Sequence, residues 1–215
     1  MTSAYRDSVV STMPSSLCFS NGNSSPATQS AVRSSAIQNN SPNIRRPKTF
    51  SAFSAKQKDV LLKRYQFYDS SAGGSVGIPL DICLAMPEFV GNKLIGVLIH
   101  DFANPKTGCL HQEEFLNFCS FLSPLTKVEE KKLVLFDCFN VYKTKTLTHD
   151  EIFRLYKVLL GHTISDDHIL SLTFEALQHP KLRNKGEIQR DEFIEMAPDS
   201  EVEEKLSVHF NVPAG

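Results

Sequence analysis

Three stretches decide the fold: ANPKTGCLHQEEF (103–115), NVYKTKTLTHDEI (140–152) and KLRNKGEIQRDEF (181–193). Each is a twelve-residue frame with an aliphatic residue at its eighth position (Leu110, Leu147, Ile188) and Glu at its twelfth (Glu114, Glu151, Glu192), followed by an apolar residue (Phe115, Ile152, Phe193). That spacing is the skeleton of a helix–loop–helix unit shaped to wrap a cation.

In such an EF-hand, calcium takes six to eight oxygens from positions 1, 3, 5, 7, 9 and a bidentate Glu at 12, with Gly at 6 for the sharp turn. Most of those oxygens are missing here. Ala103 and Pro105 hold positions 1 and 3 of the 103–114 frame, leaving Thr107, His111 and Glu114 as side-chain candidates. In the next frame Asn140, Tyr142 and Thr144 take positions 1, 3 and 5, Lys145 stands at the turn, and Glu151 is the only anionic ligand. In the last, Lys181, Arg183 and Lys185 occupy the three leading ligand positions. At ~4 Å and an effective dielectric of ~20, each of those charges repels a divalent ion by roughly 8 kcal/mol before screening. Either one of them turns inward to pair with Glu192, closing the loop without metal, or all point to solvent.

A further unit upstream is harder to register. Counting from Asp69 puts Gly74 at position 6 and Val76 at position 8, but Leu80 then lands at position 12 and Asp81 one place late. With one or two inserted residues the outgoing helix begins near Pro79 and runs to the break at Pro87. Asp69, Ser71 and Asp81 are the ligand candidates there. The expectation is that no loop needs calcium and that Asp69, Glu114, Glu151 and Glu192 are residual loop positions. The alternative is a calcium sensor with one residual working hand, the first.

Outside the loops, apolar residues recur at three- and four-residue spacing, which predicts helices over 57–68, 93–102, 114–122, 129–139, 149–160 and 166–177. The fold class that follows is all-α: two EF-hand pairs, four helix–loop–helix units with short β pairings between loops. One pair is expected over 51–122 and the other, with a C-terminal segment, over 127–212.

Charge divides the 215-residue chain, whose net charge is −1. Residues 1–58 carry seven basic side chains against the single acid Asp7, which leaves 16 basic and 23 acidic residues, a net of −7, in 59–215. Residues 1–50 are rich in Ser, Thr, Asn and Pro and lack a helical or strand period, so they are expected to be a disordered basic tail. Its Ser25-Pro26 and Ser41-Pro42 pairs and the stretch 44–49 read as phosphorylation or docking sites, or as plain linker. The Ser-rich, nearly acid-free composition also matches an organellar transit peptide, the alternative to a cytoplasmic location. No apolar run approaches the ~18 residues that span a bilayer. Met-Thr-Ser in place of Met-Gly at the start carries no myristoylation signal, so no intrinsic lipid anchor is expected. Five cysteines (Cys18, Cys83, Cys109, Cys119, Cys138) without a Cys-x-x-Cys pair argue against a disulfide framework or a zinc site and for free thiols in a reducing compartment.

These residues resemble the calcineurin B family, within it the calcineurin B homologous proteins. The likeness covers about 50–212 and rests on Phe53-Ser54 opening the first helix, Met86-Pro87-Glu88-Phe89 closing the first hand, residues 159–167 linking the last two hands, and the ending 204–210. The absent myristoylation glycine and the lost ligands of the third and fourth hands depart from the pattern. The resemblance implies a regulatory subunit whose paired hands cradle an amphipathic helix of a larger protein. In the family that partner is a phosphatase catalytic subunit of the calcineurin A kind or a membrane sodium/proton exchanger, and any membrane contact is peripheral, through the partner.

The residues agree on mode. Phe115, Phe118, Phe121 and Leu122, with Leu133, Phe136, Phe139, Leu155, Val158, Leu159, Ile169 and Phe174, present more apolar surface than short helices need among themselves, which suits a groove for a partner helix; the plainer reading makes most of them core. The acidic body suits a basic target helix, or is a solvated face. The tail, with 44–53 as the best stretch, is a candidate occupant of that groove in the free protein. An enzyme finds no support, with no Gly-rich phosphate loop, Gly-x-Ser-x-Gly or His-Glu-x-x-His, and His100, His111 and His149 read as surface residues beside loops. A nucleic-acid role finds little support and none is expected, because the net positive charge falls in the tail without interleaved aromatics.

Overall fold

The computed structural model of the chain describes residues 49–71, 75–161 and 163–212. The expectations placed on the tail through residue 48, on Cys18 within it, and on Gly74 as a turn residue lie outside the described residues.

Helix α1 (Ala55–Tyr68) starts at Ser54, whose N–H donates to Gln57 Oε1 at 3.0 Å, and buries Leu61 and Tyr65, one turn apart on one face. Strand β1 (Ile78–Pro79) leads into the short helix α2 (Leu80–Leu84). Helix α3 (Lys93–Phe102) is capped by Asn92, whose Oδ1 accepts from Leu94 and Ile95 N–H at 3.1 Å. Strand β2 (Cys109–Leu110) and helix α4 (Gln112–Leu122) complete the first half. The second half runs α5 (Val128–Phe139), β3 (Thr146–Leu147), α6 (His149–Leu160), α7 (Asp166–Leu177), β4 (Ile188–Gln189), α8 (Arg190–Met196) and α9 (Asp199–Leu206). The all-α class holds, with α3, α6 and α7 spanning the residues that their periodicity predicts.

The loops pair as two antiparallel bridges. Ile78 faces Leu110 and Pro79 faces Cys109 in one; Thr146 faces Gln189 and Leu147 faces Ile188 in the other. The eighth-position residue of each loop is therefore the one that meets its neighbour, and Ile78, Leu110, Leu147 and Ile188 are all buried. In the first loop this partner is Ile78 and not Val76, which is half exposed. Two extra residues precede the bridge, and Gly77 absorbs them at φ +85°, so close to β2 that a Cβ there would stand 2.7 Å from the Leu110 carbonyl oxygen.

One continuous apolar core runs through both halves. Each fully buried Leu, Ile or Phe in it contributes about 1.5–3 kcal/mol. Helices α8 and α9 are tied to α5 by two buried lysines: Lys131 Nζ donates to Ser207 Oγ at 2.7 Å, and Lys132 Nζ donates to the Ile194 carbonyl of α8 at 2.8 Å and pairs with Asp199 of α9. Burial pushes the Lys131 ammonium down to a pKa of about 8, against the pull of Glu203. Among the described residues, no helix is long and apolar enough to cross a membrane.

Candidate functional site

The twelfth-position glutamates are turned into their own loops. Glu151, 1% exposed, accepts the Tyr142 N–H on Oε1 at 3.1 Å and the Thr148 N–H on Oε2 at 2.9 Å. Glu192, 6% exposed, repeats the pattern with the Arg183 N–H on Oε1 and the Gln189 N–H on Oε2, both at 2.8 Å. In each case one carboxylate spans positions 3 and 9 and also caps the outgoing helix. The Arg183 N–H first, then the Gln189 N–H, hold the Glu192 carboxyl below its ordinary range. Glu114 is half-buried and accepts from Asn104 Nδ2 at 3.2 Å.

The cations of the fourth loop follow neither expectation alone. Arg183 Nε approaches Glu192 at 3.3 Å, yet its guanidinium also reaches out to Asp191 and to Gln189 Oε1. Lys181 pairs with Glu195 at the surface. Lys185 turns back onto α7, where its Nζ donates to the carbonyls of Gln178 and His179, the end of the helix dipole that favours a cation. In the third loop the left-handed residue is Lys143, at φ 53°, and not Lys145. Asn140 makes this work: its amide brackets Thr144, accepting from the Thr144 N–H at 2.9 Å and donating to the Thr144 carbonyl, so the turn closes early and without glycine.

In the first loop Asp69 Oδ1 accepts from the Ser71 N–H at 3.0 Å and hydroxyl at 2.5 Å, and the hydroxyl bond is the foremost cause that lowers its pKa. With Ile78 at position 8, Ile82 stands where Glu would chelate and Asp81 is one residue early. Among the described residues, no three His, Cys, Asp or Glu side chains converge closely enough to hold an ion. A calcium cage asks for six to eight oxygens, and the third and fourth loops each present one carboxylate among the side chains at the ligand positions 1, 3, 5, 9 and 12, Glu151 and Glu192.

The twelve residues read as a partner groove divide by burial. Phe115, Phe118, Phe121, Leu122, Phe136, Phe139, Leu155 and Ile169 are buried in the core; Leu133, Val158 and Leu159 are half-buried; Phe174 is exposed at 55%. Val158 and Leu159, with Val90 and Leu94, line a cleft of about 350 Å³ rimmed by Lys93, Glu204 and Lys205. Phe174 leans on His149, ring centroids 5.2 Å apart, on the outer face of α6 and α7. The α4 residues of the set lie beneath a cap.

The cap is aromatic, and spacing within helices did not reveal it. Phe89, Phe102, Phe118 and Phe121 form a chain of rings with centroids 5.1–5.5 Å apart. Phe50, ahead of α1, lies on Phe121 and Phe102 at 5.3 and 6.4 Å, and Phe210, beyond α9, meets Phe89 at 6.1 Å and Phe53 at 5.8 Å. The Val208 N–H donates to the Leu122 carbonyl at 2.7 Å and the Phe50 N–H to Asn117 Oδ1 at 2.6 Å. Cys83 and Cys119 are buried free thiols nearby, the former pushed by burial to about 12.

No family model matches the chain. It is similar to the type 1 calcineurin B subunit of Dictyostelium discoideum, 26% identical over 173 residues that cover 80% of this chain and 95% of the relative. The calcineurin B subunit of Candida glabrata is 22% identical over 160 residues, 74% of this chain and 90% of the relative. The type 2 calcineurin B subunit of Homo sapiens is 23% identical over 144 residues, 67% of this chain and 84% of the relative.

Proposed function

We propose that this chain, calcineurin B-like over most of its length, is a non-catalytic regulatory subunit that holds an amphipathic helix of a larger partner, and that it does so without calcium. The partner is a calcineurin A-like phosphatase catalytic subunit or a membrane ion exchanger met at the cytoplasmic side, and membrane association comes through that partner. The observation that carries the reading is the position of Glu151 and Glu192: each carboxylate is spent on two backbone N–H groups of its own loop, at 2.8–3.1 Å. The loops are closed by groups that the chain itself supplies, so the hands keep their shape at any calcium level. A charge of −7 over 59–215 favours a basic helix.

Calorimetric titration with calcium tests the first half of this reading, and capture of a purified phosphatase catalytic subunit in chelator and in calcium tests the second. The expected result is no calcium heat and equal capture in both. Heat of binding at micromolar calcium would restore the sensor reading and point to the first loop, where Asp69 and Ser71 sit.

A further inference from the structure

We propose that the aromatic floor formed by Phe89 with α3 and α4 is the surface that receives the partner's helix, and that in the free protein two segments of the same chain cover it: the arm at Phe50 and Phe53 and the irregular segment over 207–212. This deepens the helix-binding reading above and rests on it.

The floor is the ring chain Phe89, Phe102, Phe118 and Phe121. The cover arrives from both ends of the fold and meets over it, Phe53 and Phe210 edge to face at 83°. The described residues of both covering segments lie outside helix and strand. They are anchored by burial of Phe50, Phe53 and Val208, by ring contacts, and by polar bonds that include Phe50 N–H to Asn117, Val208 N–H to Leu122, and Lys131 to Ser207. An irregular segment held in this way is exchanged for another apolar occupant more readily than a helix locked into the core by its whole face.

The cover also describes its replacement. Rings of this spacing accept large side chains, aromatic ones above all, in tilted or edge-on contact. A helix presents such side chains three and four residues apart on one face. Its interior N–H groups are engaged within the helix, so it cannot satisfy the Leu122 carbonyl and Asn117 Oδ1 with backbone as the cover does. Side-chain donors must do so, and Lys or Arg fits a body of charge −7. The occupant is therefore a basic amphipathic helix with aromatic anchors. A second copy of this chain is disfavoured, because it would bring like charge to like.

Three proteins test this: the full chain, Phe210→Ala, and a chain ending at Leu206, each first checked for helix content by circular dichroism. The probe is a synthetic peptide of the helix through which a calcineurin catalytic subunit holds its regulatory partner, with binding of a hydrophobic dye to the free proteins as a partner-independent readout. Both variants should bind the dye more strongly and the peptide about tenfold more tightly, a change of about 1.4 kcal/mol. Saturating peptide should speed amide exchange at Val208 in the full chain. Equal peptide affinities with Val208 exchange unmoved would overturn the cover. Failure of every protein to bind the peptide, with dye binding still raised in the variants, would instead overturn the helix-binding reading on which the proposal rests.

Discussion

Replacing Glu151 by Ala removes a buried acceptor that serves Tyr142 N–H at 3.1 Å and Thr148 N–H at 2.9 Å. Bonds to a charged acceptor contribute about 1.5–3 kcal/mol each when both ends are dry, and an orphaned buried donor costs about 1–3 kcal/mol. Tyr142 is largely exposed, so water reaches its side of the loop and its share sits at the low end. The Thr148 bond is a helix cap, for which loss costs about 1 kcal/mol. Together the substitution should cost about 3 kcal/mol, which in a domain of this size lowers Tm by about 6–12 °C. Glu151→Gln keeps one acceptor but points an amide N–H₂ at a donor, so it should lose about half as much. Thermal unfolding followed by circular dichroism, in chelator and in millimolar calcium, reads both. A drop below about 2 °C for Glu151→Ala, or a wild-type Tm that rises with calcium, would mean that the carboxylate is available to an ion, and closure of the loop by its own glutamate would fall.

Lys131 has a folded pKa near 8 against an ordinary 10.5, so between those values the unfolded chain holds a proton that the folded one lacks. Stability should therefore rise with pH across that window by up to about 1.4 kcal/mol per unit, and Lys131→Met should remove the rise; parallel urea midpoints for the two proteins from neutral to alkaline pH would contradict this. Glu192 has the same sign in an acid window: its carboxyl is held below the ordinary 4.5, so the stability it contributes is present above that value and lost as pH falls through its lower folded pKa. Glu192→Gln should flatten the acid limb of a Tm-versus-pH curve, and superimposable acid limbs would rule the lock out. Gly77→Ala forces a Cβ to 2.7 Å from the Leu110 carbonyl at φ +85° and should cost about 2–3 kcal/mol, measured by urea denaturation; an unshifted midpoint would show that the first loop can relax.

The helices were legible because each repeats apolar residues at helical spacing, and the bounds of α3, α6 and α7 fall where that repeat begins and ends. The first loop was not, since two extra residues shift every later position: Val76 occupies the counted eighth place, but Ile78 is the residue that finds Leu110. The turn in the third loop moved from Lys145 to Lys143 because Asn140, counted only as a missing ligand, bonds Thr144 through its amide. The C-terminal half of the aromatic cover escaped for a different reason. Phe50 falls within the 44–53 stretch named as a candidate occupant, but Phe210 sits in a stretch with no period, and its contacts join residues far apart in the chain, which no local pattern encodes. Phe115, Phe118 and Phe121 were found by their spacing, but spacing cannot say whether a ring meets a partner or the chain's own Phe50.

In the fourth loop a cation is supplied by the chain's own Lys185. Its ammonium rests on the Gln178 and His179 carbonyls, just past the end of α7, at the rim of a loop with the EF-hand frame. A charge carried on the chain's own side chain has a fixed local concentration that no chelator, pump or resting cytosol can dilute. On the proposed reading such a hand has no vacant state to return to, and a component without a second state transmits no message. On the proposed calcium-free reading, timing in the complex originates in when its subunits meet, through synthesis, transport or turnover, and not in a pulse of calcium.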